Sequence, residues 1–328
     1  MRRIRQMKKM KWLAVAMSLV VLLLSACGSK AVPAAGTAQP SSAPDKAALD
    51  KKKIKMVVGG KGFSEQYLLA QLVGQLMQKN TDYDVSINES GFAASSFINQ
   101  AMKDGKVDVF VDYTGTGFLN VLKGKLAPED TKETVYKKVK EGYEKELGFT
   151  WLEPLGFTNT FTILLREEKM KELNISTFSD LVKHAPNLVL GIDNTFYDRQ
   201  DGLKGLSEKY GYKFKDIKQM EIPLAFPALA EKKIDVLVAY STDGRIPALK
   251  LAALKDDKNY FPPYYAAPIV TLDFAKKYPD AVQVINKLAG KINDQTMSKL
   301  NAKADVEKRT VADVAKEFLI ENGLIPKK

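Results

Sequence analysis

The chain has few of the residues that most often carry out chemistry in proteins. Its 328 residues include one cysteine, Cys27, and one histidine, His184. A lone thiol cannot close an internal disulfide, and a single imidazole offers no basis for a Ser-His-Asp triad, a Cys-His pair or a histidine- and cysteine-rich metal set. His184 lies in Lys183-His184-Ala185-Pro186, a loop context that reads as surface rather than as a catalyst. Gly59-Gly60-Lys61-Gly62 has glycines and a lysine but lacks the G-x-x-x-x-G-K-[ST] spacing that cradles a phosphate. Carboxylates are plentiful, yet no spacing singles out an acid–base pair, and no cofactor is implied. Long apolar runs are missing too. The longest, Trp12–Leu24, covers 13 residues, short of the roughly 20 that a membrane-spanning helix needs. These absences favour binding over catalysis.

What is present begins with a targeting pattern. Arg2, Arg3, Arg5, Lys8, Lys9 and Lys11 precede the apolar run, and Leu24-Ser25-Ala26-Cys27 follows it. Basic, apolar and small segments in that order predict a secretory signal over residues 1–26. The tetrad resembles the lipobox of bacterial lipoproteins, which implies that Cys27 is acylated and anchors the chain at the outer face of the cell membrane, as in a Gram-positive bacterium. The whole chain carries +11. Six of those charges lie in the signal, so +5 remains, with lysines spread evenly, and no nucleic-acid partner is expected. Residues 27–53, rich in Ala, Pro, Ser and Gly and then Lys, predict a flexible tether.

From Ile54 onward, strand-like and helical patterns alternate. Ile54–Val58 reads as a strand. Ser64–Lys79 places Leu68, Leu69, Leu72, Val73 and Leu76 on one helix face. Asp84–Ile87 is then a strand, Ser95–Lys103 a helix and Val107–Tyr113 a strand, an alternation that predicts parallel α/β layers. The segment Gly105–Thr114 is echoed by Lys232–Ser241: each is a strand running into a tyrosine and then a hydroxyl residue, the tyrosines 127 positions apart. A helix is expected before each, Ser95–Lys103 and Pro227–Glu231. So long a period fits two similar α/β lobes, each presenting a tyrosine at the carboxyl end of a strand, where open α/β sheets bind ligands. The expected division is 54–157 and 259–328 for lobe I and 158–258 for lobe II, with helices near Ala281–Ile292 and Thr310–Glu321 completing lobe I. Two chain crossings make a hinge and a closable cleft.

Aromatic residues cluster at these junctions. Tyr113 and Tyr240 end the matching strands, Phe161 opens lobe II, and Tyr264 and Tyr265 follow Pro262-Pro263 at the return crossing. For any one of them core or rim packing is the plainer reading. As a set they suit a cation that cannot donate hydrogen bonds, because ring faces attract positive charge.

The same residues resemble the substrate-binding proteins of osmoprotectant ABC importers, which take up glycine betaine, choline and carnitine. Gly60-Lys61-Gly62-Phe63-Ser64-Glu65-Gln66 resembles that family's G-S-K-N-F-T-E-Q, and Asp112-Tyr113-Thr114-Gly115-Thr116 its E-Y-T-G-T. Arg199–Gly202, Tyr240–Arg245 and Phe261–Tyr264 also match in order and spacing. The resemblance implies a type II periplasmic-binding-protein fold, two α/β lobes on a two-crossing hinge, in a monomeric receptor. Its partners would be a quaternary-ammonium solute and the membrane permease and ATPase of an importer. It places an aromatic cage on Tyr113, Phe161, Tyr240 and Tyr264. Phe161 departs from the family's N-T-Y-A-L, and Ala93-Ala94-Ser95-Ser96 from its G-G-T. The hydroxyls of Ser95 and Ser96 would face the ligand's other end. Lys61 and Ser64 open a helix whose free N–H groups suit a carboxylate, with plain capping by Ser64 the alternative. Thr114 and Thr242, just behind the two strand-end tyrosines, complete the polar candidates. Arg199 and Arg245 read as salt-bridge partners rather than ligand contacts. A receptor of the same fold for an amino acid or a bulkier amphipathic solute is the main competing expectation, and a surface enzyme or adhesion module the remote one.

Overall fold

A computed structural model describes residues 53–327 except 89 and 128. The expected signal over 1–26, Cys27 and all but the last residue of the tether lie outside the described residues.

Among the described residues, ten strands form two five-stranded sheets of the same design. In chain order they are β1 (Lys55–Val58), β2 (Asp84–Ile87), β3 (Val109–Tyr113), β4 (Phe149–Trp151), β5 (Phe161–Arg166), β6 (Val189–Ile192), β7 (Asp216–Gln219), β8 (Val236–Tyr240), β9 (Leu251–Ala253) and β10 (Ala266–Thr271). The first sheet has the order β2-β1-β3-β10-β4 and the second β7-β6-β8-β5-β9. In each, four strands run the same way and one, β10 in the first sheet and β5 in the second, runs antiparallel between the middle strand and the edge strand. The echoed segments become β3 and β8, each the middle strand of its sheet. Both are Val-rich and almost wholly buried, as strands covered on both faces must be.

The chain passes between the sheets twice, from β4 to β5 and from β9 to β10. The two passages are hydrogen-bonded to each other, Asn159 N–H to the Tyr264 carbonyl at 3.0 Å and Ala266 N–H to the Phe157 carbonyl at 3.1 Å. C-terminal helices Asp294–Asp305 and Val311–Glu321 return to pack on helix Ser64–Asn80 of the first lobe.

Some boundaries differ from expectation. β3 starts at Val109 rather than Val107, because the Asp108 carboxylate accepts the Val57 N–H at 2.7 Å and turns the chain before the ladder begins. The helix before β8 runs Ile222–Ala230, five residues earlier than expected. Pro223 suits its first turn, since those N–H groups have no helical partner, and Pro227 is tolerated one turn further in. The helix near Ala281 spans Pro279–Ile285 and tightens into a 3₁₀ turn through Leu288, with Gly290 at φ 66° ending it.

Candidate functional site

Among the described residues, helices Ser64–Asn80 after β1, Ser95–Lys103 after β2, Asn194–Asp198 after β6 and Ile222–Ala230 after β7 begin at the carboxyl ends of parallel strands, two in each lobe. Their first residues, with the ends of β3 and β8, line a cleft of about 800 Å³ between the two sheets. All four expected cage residues, Tyr113, Phe161, Tyr240 and Tyr264, line it, as do Lys61, Ser64, Ser95, Ser96 and Thr242.

Strand register brings the aromatics together. Phe161 on β5 lies directly opposite Tyr240 on antiparallel β8, and cross-strand neighbours of this kind touch. Their ring centroids are 5.2 Å apart, and Tyr264 meets Phe161 edge-on at 5.8 Å. Phe63, from the loop after β1, stacks on Tyr240 at 5.2 Å and 15°, so the first lobe supplies a ring to the same wall. These faces attract cations within the protein itself: the Arg199 guanidinium lies 5.0 Å from the Phe161 centroid, and Lys61 Nζ lies 4.7 Å from that of Tyr113.

The cations of the cleft are already paired. Lys61 donates to Asp112 at 2.7 Å and reaches Ser95 Oγ at 3.5 Å. Arg199 is bidentate to Asp201, at 2.7 and 2.6 Å, and Arg245 to Asp243, at 2.8 and 2.5 Å, so both arginines form the expected ion pairs. Tyr264 also donates to Asp201, and Asn120 of the first lobe does so at 3.0 Å. Although burial pushes the Asp201 carboxyl upward, the Arg199 charge and these hydrogen bonds hold it below the usual carboxylate range. Glu65, Asp193, Glu221 and Asp305 line the cleft in addition to Asp243, so acids outnumber bases there on a chain whose net charge is positive.

Glu65 is the most enclosed of these acids. Its Oε1 accepts from Tyr113 Oη at 2.5 Å and Asn159 Nδ2 at 2.7 Å. Its Oε2 accepts from Thr242 Oγ1 at 2.6 Å and Asn301 Nδ2 at 2.8 Å. All four donors are neutral. Burial raises the Glu65 carboxyl above its ordinary value, against the lowering effect of these bonds. Burial and the Glu65 charge together push Tyr113 well up, so its hydroxyl stays protonated and donates.

Other polar candidates have partners of their own. Ser64 does not cap its helix: Phe63 holds that position without a side-chain cap, and the Ser64 hydroxyl donates to Asp305 at 2.5 Å. Thr114 is fully buried outside the cleft lining. Its hydroxyl donates to the Pro263 carbonyl and accepts from the Tyr265 amide, both at 3.0 Å. Ser95 is buried and Ser96 exposed at the cleft.

Phe63, Glu65, Asn159, Asp193, Asp201 and Asn301 were not among the residues the sequence singled out. Phe63 and Glu65 sit within the opening motif and Asp201 within Arg199–Gly202, which was the available signal. Asp193 caps helix Asn194–Asp198 through the Phe196 amide at 2.6 Å and accepts from Tyr240 Oη at 3.3 Å. Asn301 comes from a helix near the C-terminus, and no local pattern marks it.

Residues 54–321 match the family described as the substrate binding domain of the ABC-type glycine betaine transport system. The chain is 37% identical over 268 residues to the carnitine transport binding protein OpuCC of Listeria monocytogenes serotype 1/2a, covering 81% of this chain and 86% of that one. It is 36% identical over 271 residues to the ergothioneine transport permease/ergothioneine binding protein EgtU of Helicobacter pylori, covering 82% of this chain but only 48% of that longer protein. A crystal structure titled glycine betaine/carnitine/choline ABC transporter superposes with a TM-score of 0.69 at 32% identity, over 82% of this chain and 99% of that one. Two sheets of matching order, the cleft between them and this extent of similarity lead to one conclusion: the chain belongs to the family of substrate-binding domains of ABC-type glycine betaine transport systems, and it is a binding component rather than an enzyme.

Proposed function

We propose that this chain captures a quaternary-ammonium solute, such as glycine betaine, carnitine or choline, in an aromatic cage and delivers it to the permease and ATPase of an importer. The observation that carries this reading is the wall formed by Phe63, Phe161, Tyr240 and Tyr264, to which both lobes contribute, in a cleft where acids exceed bases. A trimethylammonium group offers no proton, so ring faces and surrounding negative charge are what can hold it. Tyr113 adds a fifth ring beside Glu65. Ser96, exposed in the cleft at the helix start after β2, would meet the polar end of a zwitterion.

The order of segments in residues 1–27 supports export and a lipid anchor at Cys27, which would hold a monomeric receptor at the outer face of the cell membrane. Residues 1–26 then act as the signal, 27–53 as the tether, 54–157 and 259–328 as lobe I and 158–258 as lobe II.

Calorimetry with glycine betaine, carnitine and choline tests the ligand class. Binding in the micromolar range, about −8 kcal/mol, is expected for at least one of them. Silence from all three at millimolar concentration overturns it. Cleft size favours a second reading within the same chemistry. About 800 Å³ lies toward the upper end of the roughly 300–1,000 Å³ of ligand pockets, and a relative carries ergothioneine, a larger trimethylammonium carboxylate. A thermal-shift panel that includes ergothioneine and common amino acids separates the two.

A further inference from the structure

The loop after β8 meets the first lobe at a place where two features coincide. Thr242 donates its hydroxyl across the cleft to Glu65 on helix Ser64–Asn80, and its carbonyl accepts from Asn301 Nδ2 at 3.0 Å. Two residues on, Gly244 lies against the backbone of helix Asp294–Asp305. A Cβ at Gly244 would stand 2.3 Å from the Ala302 nitrogen and 2.4 Å from its Cα. Backbone atoms inside a helix cannot give way as the end of a flexible side chain can. Thr242, Asp243 and Gly244 are all buried.

We infer that Thr242–Gly244 is the latch of lobe closure: Glu65 and Asn301 receive Thr242, and the missing side chain of Gly244 lets the two backbones meet. The conformation of Gly244 itself supports this assignment. At φ −67° and ψ −14° it occupies a region open to every residue, so this position does not need glycine for backbone freedom. Glycine is required only by what lies opposite, and what lies opposite belongs to the other lobe. An alanine here therefore leaves each lobe unstrained and obstructs only their approach. Glu65 complements it. A buried carboxylate with donors from the first lobe (Tyr113, Asn301), from the crossing segment (Asn159) and from the second lobe (Thr242) is fully satisfied only when the lobes are together.

The latch rests on the proposed ligand class only for the choice of probe. Gly244→Ala, Thr242→Val and the unaltered protein are compared in carnitine and glycine betaine titrations and in small-angle scattering with and without those solutes. Apparent affinity scales with the fraction of molecules able to close. Gly244→Ala should lose affinity by about tenfold or more and fail to compact. Thr242→Val, which removes one hydrogen bond to a carboxylate, should lose about tenfold and still compact at saturation. Binding and compaction by Gly244→Ala equal to those of the unaltered protein overturn the latch. Amide exchange over residues 241–246 is followed with and without whichever solute of the thermal-shift panel the unaltered protein binds. Protection gained by the unaltered protein but not by Gly244→Ala supports the latch and equal gains overturn it, whereas an unaltered protein that ignores carnitine and glycine betaine counts against the ligand class alone.

Discussion

Tyr240 is the position at which ring and hydroxyl can be told apart. Its ring touches Phe63 and Phe161, each at 5.2 Å, while its hydroxyl donates a long bond of 3.3 Å to Asp193. Tyr240→Ala removes one cation–π partner, about 0.5–2 kcal/mol, and two ring–ring contacts of about 0.5–1.5 kcal/mol each. Part of the ring contribution is present without ligand, so the net loss in binding should be about 2–3 kcal/mol, or roughly 30- to 150-fold in Kd. Tyr240→Phe keeps every ring contact and gives up a hydrogen bond of at most about 1 kcal/mol, less than tenfold. Asp193 retains the Phe196 amide and the Thr195 hydroxyl as donors, so the loss leaves no orphaned charge. Titration calorimetry with one trimethylammonium ligand against both variants, each checked for an unchanged circular dichroism spectrum, decides the matter. Equal losses from Phe and Ala would refute the cage argument, because they would assign the contact to the hydroxyl.

Asp201→Asn leaves the Arg199 guanidinium buried without its counter-charge. Breaking such a pair from one side costs about 3–5 kcal/mol, so calorimetric Tm should fall, and an unchanged Tm would count against the pair. Binding should also depend on pH through Glu65. Its folded pKa is raised by burial, so its contribution to stability is present at low pH and is lost as pH rises through that raised value. A bound cation acts in the opposite sense and favours the carboxylate. Affinity for choline, whose charge does not titrate, should fall as pH drops through the raised Glu65 value, and Glu65→Gln should flatten that slope; a slope unchanged in the variant would assign the titration elsewhere. Cys27→Ser should release the protein from the membrane fraction, and mass spectrometry of the unaltered protein should show acylation at Cys27; a variant that stays membrane-bound would refute the anchor.

Much of the architecture was legible because it repeats. The Asp-Val-x-Val pattern before Tyr113 and before Tyr240 identified two strands that became the middle strands of two sheets with matching order. Hydrophobic spacing also located helix Ser64–Asn80, because a one-sided apolar stripe has to be buried and burial is local information of a kind a sequence carries. Boundaries were less legible where a side chain intervenes in the ladder, as Asp108 does, or where proline sits comfortably inside a short helix, as at Pro227.

By itself the sequence determined the binding character of this chain, its two-lobed α/β plan and the tyrosines that strand ends project toward a common cleft, since composition, periodicity and repetition are properties of neighbours along the chain. Tertiary structure alone decided how those residues are partnered. Thr242 meets Glu65 across 177 positions, Asn301 meets it across 236, and Gly244 matters only because Ala302 arrives opposite it. Hydrogen bonds and steric contacts act over a few ångströms in space, and nothing in the order of the residues encodes which distant pair comes within that range until two lobes have folded and closed.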